Sequence, residues 1–191
     1  MKFREIIFVT GNRAKVREAE NILKIPLKVS EVDLDEIQDT DLEKIAFHKL
    51  NQAYEKIKKP LIVDDVSLEI HEWNGFPGPL IKWLLKAGDG DASVLLKMLE
   101  GVKNRSVTAR LAIGFHDGKT PRIFYGETKG KIAEEIRGEN GFGWDPVFIP
   151  DGRDKTYAEM SPDEKNEISH RRKGLDKLKE FLDSQQKQKE I

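Results

Sequence analysis

Apolar and polar positions alternate in changing rhythms along the chain, and the rhythm identifies each element. Residues Glu5-Ile6-Ile7-Phe8-Val9-Thr10 form a short apolar run closed by Gly11-Asn12, which predicts a buried strand and a tight turn. Val16, Ala19, Ile22 and Leu23 then recur at helical spacing and stop before Pro26. Leu42, Ile45, Ala46, Leu50, Ala53 and Ile57 make the buried stripe of a second helix. Thr40, with Glu43 three residues on, reads as its capping box. Pro60 ends that helix, and Leu61-Ile62-Val63-Asp64-Asp65 reads as another buried strand that ends in two acids. A rigid loop over residues 74–79 precedes an apolar helix over 80–85, and residues 93–100 form a short helix ended by Gly101.

From Val107 the period changes to two, with Val107, Ala109, Leu111, Ile113 and Phe115 on one side of a strand. Asp117-Gly118 makes the next turn, and residues 123–136 supply one or two further strands. Ser161-Pro162-Asp163-Glu164 is a helix start with Ser at the N-cap, Pro at the first position and Glu at the third. The helical pattern runs to about Leu182 and leaves a polar tail over 184–191. The sum predicts an α/β fold with a mixed central sheet and flanking helices, a single domain over residues 1–183.

Composition narrows the functional classes. A chain of 191 residues fits one domain, or one domain with two lobes around a cleft. Thirty-three basic and 34 acidic residues give a net charge of −1, which argues against a general nucleic-acid or membrane-surface coat. The absence of cysteine removes disulfides, thiolate metal sites and a Cys nucleophile. No apolar run approaches a membrane span, and the N-terminus lacks a signal-peptide core, so a cytoplasmic protein is expected.

Four places could carry chemistry. Thr10-Gly11-Asn12-Arg13-Ala14-Lys15 joins a strand end to a helix start, where free backbone N–H groups favour phosphate and Lys15 adds a charge. An ordinary strand-to-helix turn with Asn12 as N-cap and Lys15 on the surface is, for this motif alone, the commoner explanation. Asp64-Asp65 could hold Mg²⁺ and activate water, or could begin a solvated turn. Strand alternation lets only one of the two face a given metal. Glu36 is a second carboxylate that such a site could use, and also an unremarkable acidic loop residue.

The fourth place is the run over residues 141–172. Phe142 and Trp144, set between Gly141 and Gly143, offer aromatic faces for a base or for the core. Lys165, His170 and Arg171 follow, but on a straight helix they point in different directions, at about 0°, 140° and 240°. They can serve one pocket only if the helix breaks near Ile168, with Ser169 starting a second helix over Leu175, Leu178 and Leu182. Lys49, on the second helix, reads by itself as a solvent-facing lysine.

Taken together, these pieces resemble the inosine triphosphate pyrophosphatase family, in its archaeal and eukaryotic branch. The matching segments are Thr10-Gly11-Asn12 with Lys15, Asp33-Leu34 with Glu36 and Gln38, Val63-Asp64-Asp65, Gly75 with Pro77-Gly78-Pro79 and Ile81-Lys82-Trp83, Phe142-Gly143-Trp144-Asp145-Pro146, and Thr156 through Lys165 to His170-Arg171. They occur in family order over most of the chain. The chain departs at Val66, where many bacterial members carry a small hydroxyl residue, and at Gly174, a frequent alanine whose replacement should only soften the last helix.

The resemblance implies two lobes around a substrate cleft, a homodimer, and hydrolysis of ITP, dITP and XTP to the monophosphate and pyrophosphate. It places Glu36 and Asp65 on Mg²⁺, with Asp65 taking the proton of the attacking water. Thr10 to Lys15 and Lys49 would hold the phosphates and ribose, with Val66 also at the substrate. Phe142, within the segment Phe142-Gly143-Trp144-Asp145, would stack on the purine, and Lys165, His170 and Arg171 would read the base. A pocket of donors suits the 6-keto group of hypoxanthine or xanthine and rejects the 6-amino group of adenine.

Two rivals stand beside this reading. A Maf-type nucleotide pyrophosphatase shares the general fold and reaction but prefers pyrimidines. Phe142-Gly143-Trp144-Asp145 and His170-Arg171 speak against it. A non-catalytic nucleotide sensor would have lost the acids, which this chain keeps at Glu36, Asp64 and Asp65.

Overall fold

The computed structural model describes residues 5–88 and 90–187. Its elements are β1 (Ile6–Val9), α1 (Arg13–Leu23), β2 (Leu27–Ser30), α2 (Leu42–Ile57), β3 (Leu61–Ile70), β4 (Pro77–Gly78), α3 (Ile81–Ala87), α4 (Ser93–Met98), β5 (Ser106–His116), β6 (Pro121–Ile132), β7 (Phe148–Pro150), α5 (Pro162–Ile168) and α6 (His170–Lys187). The strands form a seven-stranded sheet in the order β2-β1-β3-β5-β6-β7, with β4 on β3. β1 pairs in parallel with β2 and β3, whereas β3–β4 and β6–β7 are antiparallel, so the sheet is mixed as expected. Among the described residues no helix is long and apolar enough to cross a membrane.

The chain divides into two compact units. One contains the described residues through Asp65, Leu111–Gly126, and those from Arg171 onward; the other contains Val66–Arg110 and Glu127–His170. In the first unit, Leu50 and Ala53 of α2 pack on Ile7, Val9, Leu61 and Val63. On the opposite face, Phe8 and Ile62 line a small cavity together with Ala19 of α1 and Leu175 of α6. Strand alternation therefore sends Asp65 to the α2 side of β3 and Asp64 to the α1 and α6 side. Gly174 has a packing role here: a Cβ at this position would lie 3.0 Å from Leu111 Cδ2 and 3.3 Å from the Gly126 backbone nitrogen. The glycine lets α6 sit close on β5, which is more than a softening of the helix.

The second unit has its own core. Ile81 and Leu85 of α3, and Leu95 and Leu99 beside them, pack on Leu68, Ile70, Val107, Ala109 and Phe148.

Several boundaries differ from the pattern-based expectation. Asp41 rather than Thr40 caps α2, because its carboxylate accepts from the Glu43 and Lys44 amides. β3 continues five residues past Asp65, so the acid pair lies inside a strand and not at its end. β2 and β7 are short strands that periodicity did not single out, and residues 123–136 hold the latter part of one strand, β6. The expected tail from Ser184 is helical through Lys187, while residues 188–191, like residues 1–4 at the other end, lie outside the described residues.

The expected helix break is present. α5 ends at Ile168, Ser169 is extended at φ −69° and ψ 155°, and α6 begins at His170. Ser161 caps α5 in a full capping box with Glu164. At the other end Thr128 of β6 donates its hydroxyl to the Ile168 carbonyl at 3.0 Å, satisfying one of the acceptors a helix end leaves open.

Candidate active site

In the first unit, β1 ends at Val9 and the chain turns into α1 through Thr10-Gly11-Asn12. Thr10 Oγ1 accepts from the Asn12 amide at 3.1 Å, and Asn12 Oδ1 accepts from the amides of Ala14 at 3.0 Å and Lys15 at 3.3 Å. Two helix-start donors are thus held by Asn12. Arg13 is exposed, and Lys15 points the other way, placing Nζ 2.8 Å from Asp64 Oδ1. The second oxygen of Asp64 accepts from Arg171 at 3.0 Å, and Arg171 also donates to Glu18 Oε2 at 2.7 Å. Asp64 therefore has a cation on each oxygen.

Asp65 is built differently. Its Oδ1 accepts from Lys49 at 2.9 Å, and Lys49 also donates to the Asp64 carbonyl at 3.2 Å. Its Oδ2 is buried and has no hydrogen-bond partner. Lys49 is therefore not a free surface lysine. Glu36 lies close enough to Lys49 to help hold that charge. The Glu36 loop is pinned by α2, because Gln52 accepts from the Asp35 amide at 2.7 Å and donates to its carboxylate at 3.1 Å.

The two adjacent aspartates titrate in opposite directions. Burial opposes ionisation of both. At Asp64, Lys15 and Arg171 outweigh it and hold the carboxyl well below the usual range. At Asp65, burial wins over Lys49 and Lys15, and the carboxyl is pushed above its ordinary value. A carboxylate with a raised pKa and an unpaired oxygen is equipped to take a proton or to meet a cation.

In the second unit, Asp145 organises the aromatic segment. Its Oδ2 accepts from the Phe142 amide at 2.8 Å and from Lys165 Nζ at 2.7 Å. Gly141, at φ +79°, makes room for that oxygen, since a Cβ there would lie 2.1 Å from it. Lys165 is buried, with Nζ 4.9 Å from the Phe142 ring centre and 5.5 Å from that of Tyr157. His170 packs near the Tyr157 ring at 6.2 Å and the Trp144 ring at 5.3 Å. Trp144 is a core residue, edge-on to Phe148 at 5.2 Å, while Phe142 is only half-buried.

The structure thus gathers Lys15, Lys49, Asp64 and Asp65 in one unit, and Phe142, Asp145, Lys165 and His170 in the other. Gly143 is exposed beside Phe142, and Val66 packs against the second unit's core. Arg171, expected beside Lys165 and His170, has its terminal nitrogens on Glu18 and Asp64. One residue past the break, the helix has turned it away, and two carboxylates capture it. Sequence reasoning missed Glu18 and Gln52. The only signal for Glu18 was its place three residues after Lys15 on the same helix face.

Comparison with known proteins gives a consistent picture. Residues 6–181 match the model of the Ham1 family. The dITP/XTP pyrophosphatase of Methanopyrus kandleri is 42% identical over 181 residues, covering 93% of this chain and 95% of its own. The inosine triphosphate pyrophosphatase of Saccharomyces cerevisiae is 43% identical over 195 residues, covering 95% and 98%. The solved Ham1 protein of Staphylococcus aureus superposes with a TM-score of 0.82 at 30% identity, covering 95% of this chain and all of that one.

Proposed function

The chain belongs to the Ham1 family, and from that premise we propose that it hydrolyses non-standard purine nucleoside triphosphates, ITP, dITP and XTP, to the monophosphate and pyrophosphate. The observation that carries the chemistry is the Asp65 carboxylate, with one oxygen held by Lys49 and the other buried and unpartnered. The reaction breaks the bond between the α- and β-phosphates. Water supplies the new oxygen on the monophosphate, and its proton passes to Asp65. Lys15 and Lys49 supply positive charge for the phosphates, which become more negative as the bond opens. Phe142 supplies a stacking face for the purine, and Lys165 and His170 supply donors for its 6-keto group.

The donor set fits Mg²⁺. A buried carboxylate oxygen without a donor is a cost that a hard cation would relieve, and Asp65 with Glu36 would be its protein ligands. Among the described residues no cluster of three or more His, Asp or Glu makes a complete cage. A cation that takes one or two carboxylates and completes its shell with phosphate and water would need only Asp65 and Glu36 from the protein. When bound, it would neutralise phosphate charge. The family resemblance supports a cytoplasmic homodimer.

The test is product analysis with ITP, XTP, GTP and ATP in Mg²⁺. Pyrophosphate and monophosphate should appear rapidly with the first two. Release of inorganic phosphate as the first product, or equal rates on ATP, would overturn the reading. Extending the panel to dTTP and UTP separates it from a pyrimidine-directed enzyme.

A further inference from the structure

Arg171 and Glu18 take part in a run of three ion pairs that leaves α1 and returns to it, a ring closed by the helix itself. Lys15 of α1 reaches Asp64 of β3 at 2.8 Å, Asp64 reaches Arg171 of α6 at 3.0 Å, and Arg171 returns to Glu18 of α1 at 2.7 Å. Lys15 and Glu18 are three residues apart, so the ring starts and ends on one face of the first turns of α1. Arg171 is 3% exposed, Asp64 5% and Glu18 16% as side chains, so solvent screens the ring little. The ring ties together the helix that follows the Thr10–Lys15 turn and the strand that carries Asp65.

We propose that Glu18 and Arg171 are positioning residues for the phosphate-binding turn. This rests on the pyrophosphohydrolase reading and assigns Arg171 to the phosphate end of the substrate, not to the base. Lys15 is the ring member proposed to meet phosphate. When it does, Asp64 keeps Arg171 as its partner, and Arg171 keeps its place because Glu18 holds its other nitrogen. Without Glu18 the guanidinium loses one of these two carboxylates, and α1 loses its ionic tie to α6. The Thr10–Lys15 turn then keeps its place through the β1–β3 pairing alone and loses the side-chain brace that sets it finely against Asp65. A residue that reads the base alters discrimination between bases. A residue that sets the phosphate turn alters binding of every triphosphate equally, and of pyrophosphate, which has no base.

The experiment is Glu18→Gln, which keeps side-chain size and removes the charge. Steady-state kinetics are measured with ITP and ATP, with inhibition by magnesium pyrophosphate in the same assay. KM for ITP and Ki for pyrophosphate should rise together, about tenfold, the scale on which removing a supporting hydrogen-bond partner loosens a site. The ITP-to-ATP ratio of kcat/KM should stay at the wild-type value. Glu18→Asp should recover part of the loss. If Glu18→Gln fails to fold, Arg171→Lys keeps the charge, forfeits the two-carboxylate fork and gives the same readouts. A changed ITP-to-ATP ratio with unchanged pyrophosphate Ki would return Arg171 to the base. Wild-type kinetics with only a lowered melting temperature would reduce the ring to a structural tie. Absence of ITP turnover in the wild-type protein would instead remove the functional reading itself, and this proposal with it.

Discussion

Each unit of the protein sets a lysine on a buried aspartate, and the two pairs lie in opposite surroundings. Lys15–Asp64 sits at 2.8 Å among other charges: Asp64 also holds Arg171, Arg171 holds Glu18, and Lys49 stands on the neighbouring Asp65. Lys165–Asp145 sits at 2.7 Å among aromatic rings and a backbone amide: Phe142 and Tyr157 flank the ammonium, and Asp145 also accepts from Phe142. The first pair belongs to a network whose cations can be shared with an incoming anion. The second fixes a loop and presents a donor beside a flat apolar face. The difference teaches that one motif, a lysine on a buried acid, is set among charges in one place and among aromatic rings in the other; under the proposed function the first suits charge handling and the second shape and hydrogen-bond selection.

The largest expected effect comes from the first unit. Asp65→Asn should lower kcat by about a thousandfold, in the range that loss of a general base produces, while the fold stays intact. Because the fold pushes the Asp65 pKa up, it favours the neutral acid. Its contribution to stability is present below the ordinary carboxylate pKa and is lost as pH rises through the raised value. The substituted amide is neutral at every pH, so the melting temperature at pH 7 should hold or rise. A melting temperature lowered by several degrees would mean that Asp65 serves the structure as much as the chemistry.

The adjacent residue should behave in the opposite way. Asp64→Asn leaves Lys15 and Arg171 buried with one carboxylate fewer, and breaking a buried ion pair from one side costs about 3–5 kcal/mol. Urea denaturation at pH 7 reads this directly. The Asp64 pKa is depressed, so its contribution is present above the ordinary carboxylate value and is lost as pH falls through that value toward the folded one. The stability gap between wild type and Asp64→Asn should therefore narrow in acid. A gap that stayed constant with pH would contradict the charge assignment.

The alternation of apolar residues made β1, α1, α2 and β5 legible, since each carries a clear stripe of period 3.6 or 2 or a compact apolar run. It could not show β2 and β7, which have four and three residues and therefore too few positions to set a period. The helix break near Ile168 was legible as the condition for three cations to share one pocket; the break is present, yet Arg171 turns to Glu18 and Asp64. Asp64 and Asp65 were visible as a pair that strand alternation splits, and the family resemblance put the chemistry on Asp65, but the role of Asp64 was not legible. It depends on which helix packs on each face of β3, a tertiary fact that local sequence does not contain. Glu18 and Gln52 were invisible for the same reason: on a helix, a carboxylate or amide facing a distant partner looks like any surface residue.

The division between charge handling and base selection is tested most directly by one ratio. Lys15→Met and Lys165→Met are compared with wild type for kcat/KM on ITP and on ATP. Lys15→Met should depress both substrates by the same factor and leave the ITP-to-ATP ratio unchanged. Lys165→Met should cut the ratio by about tenfold, the scale of one lost hydrogen bond to a buried polar group. A ratio that falls in Lys15→Met and survives in Lys165→Met would contradict the account.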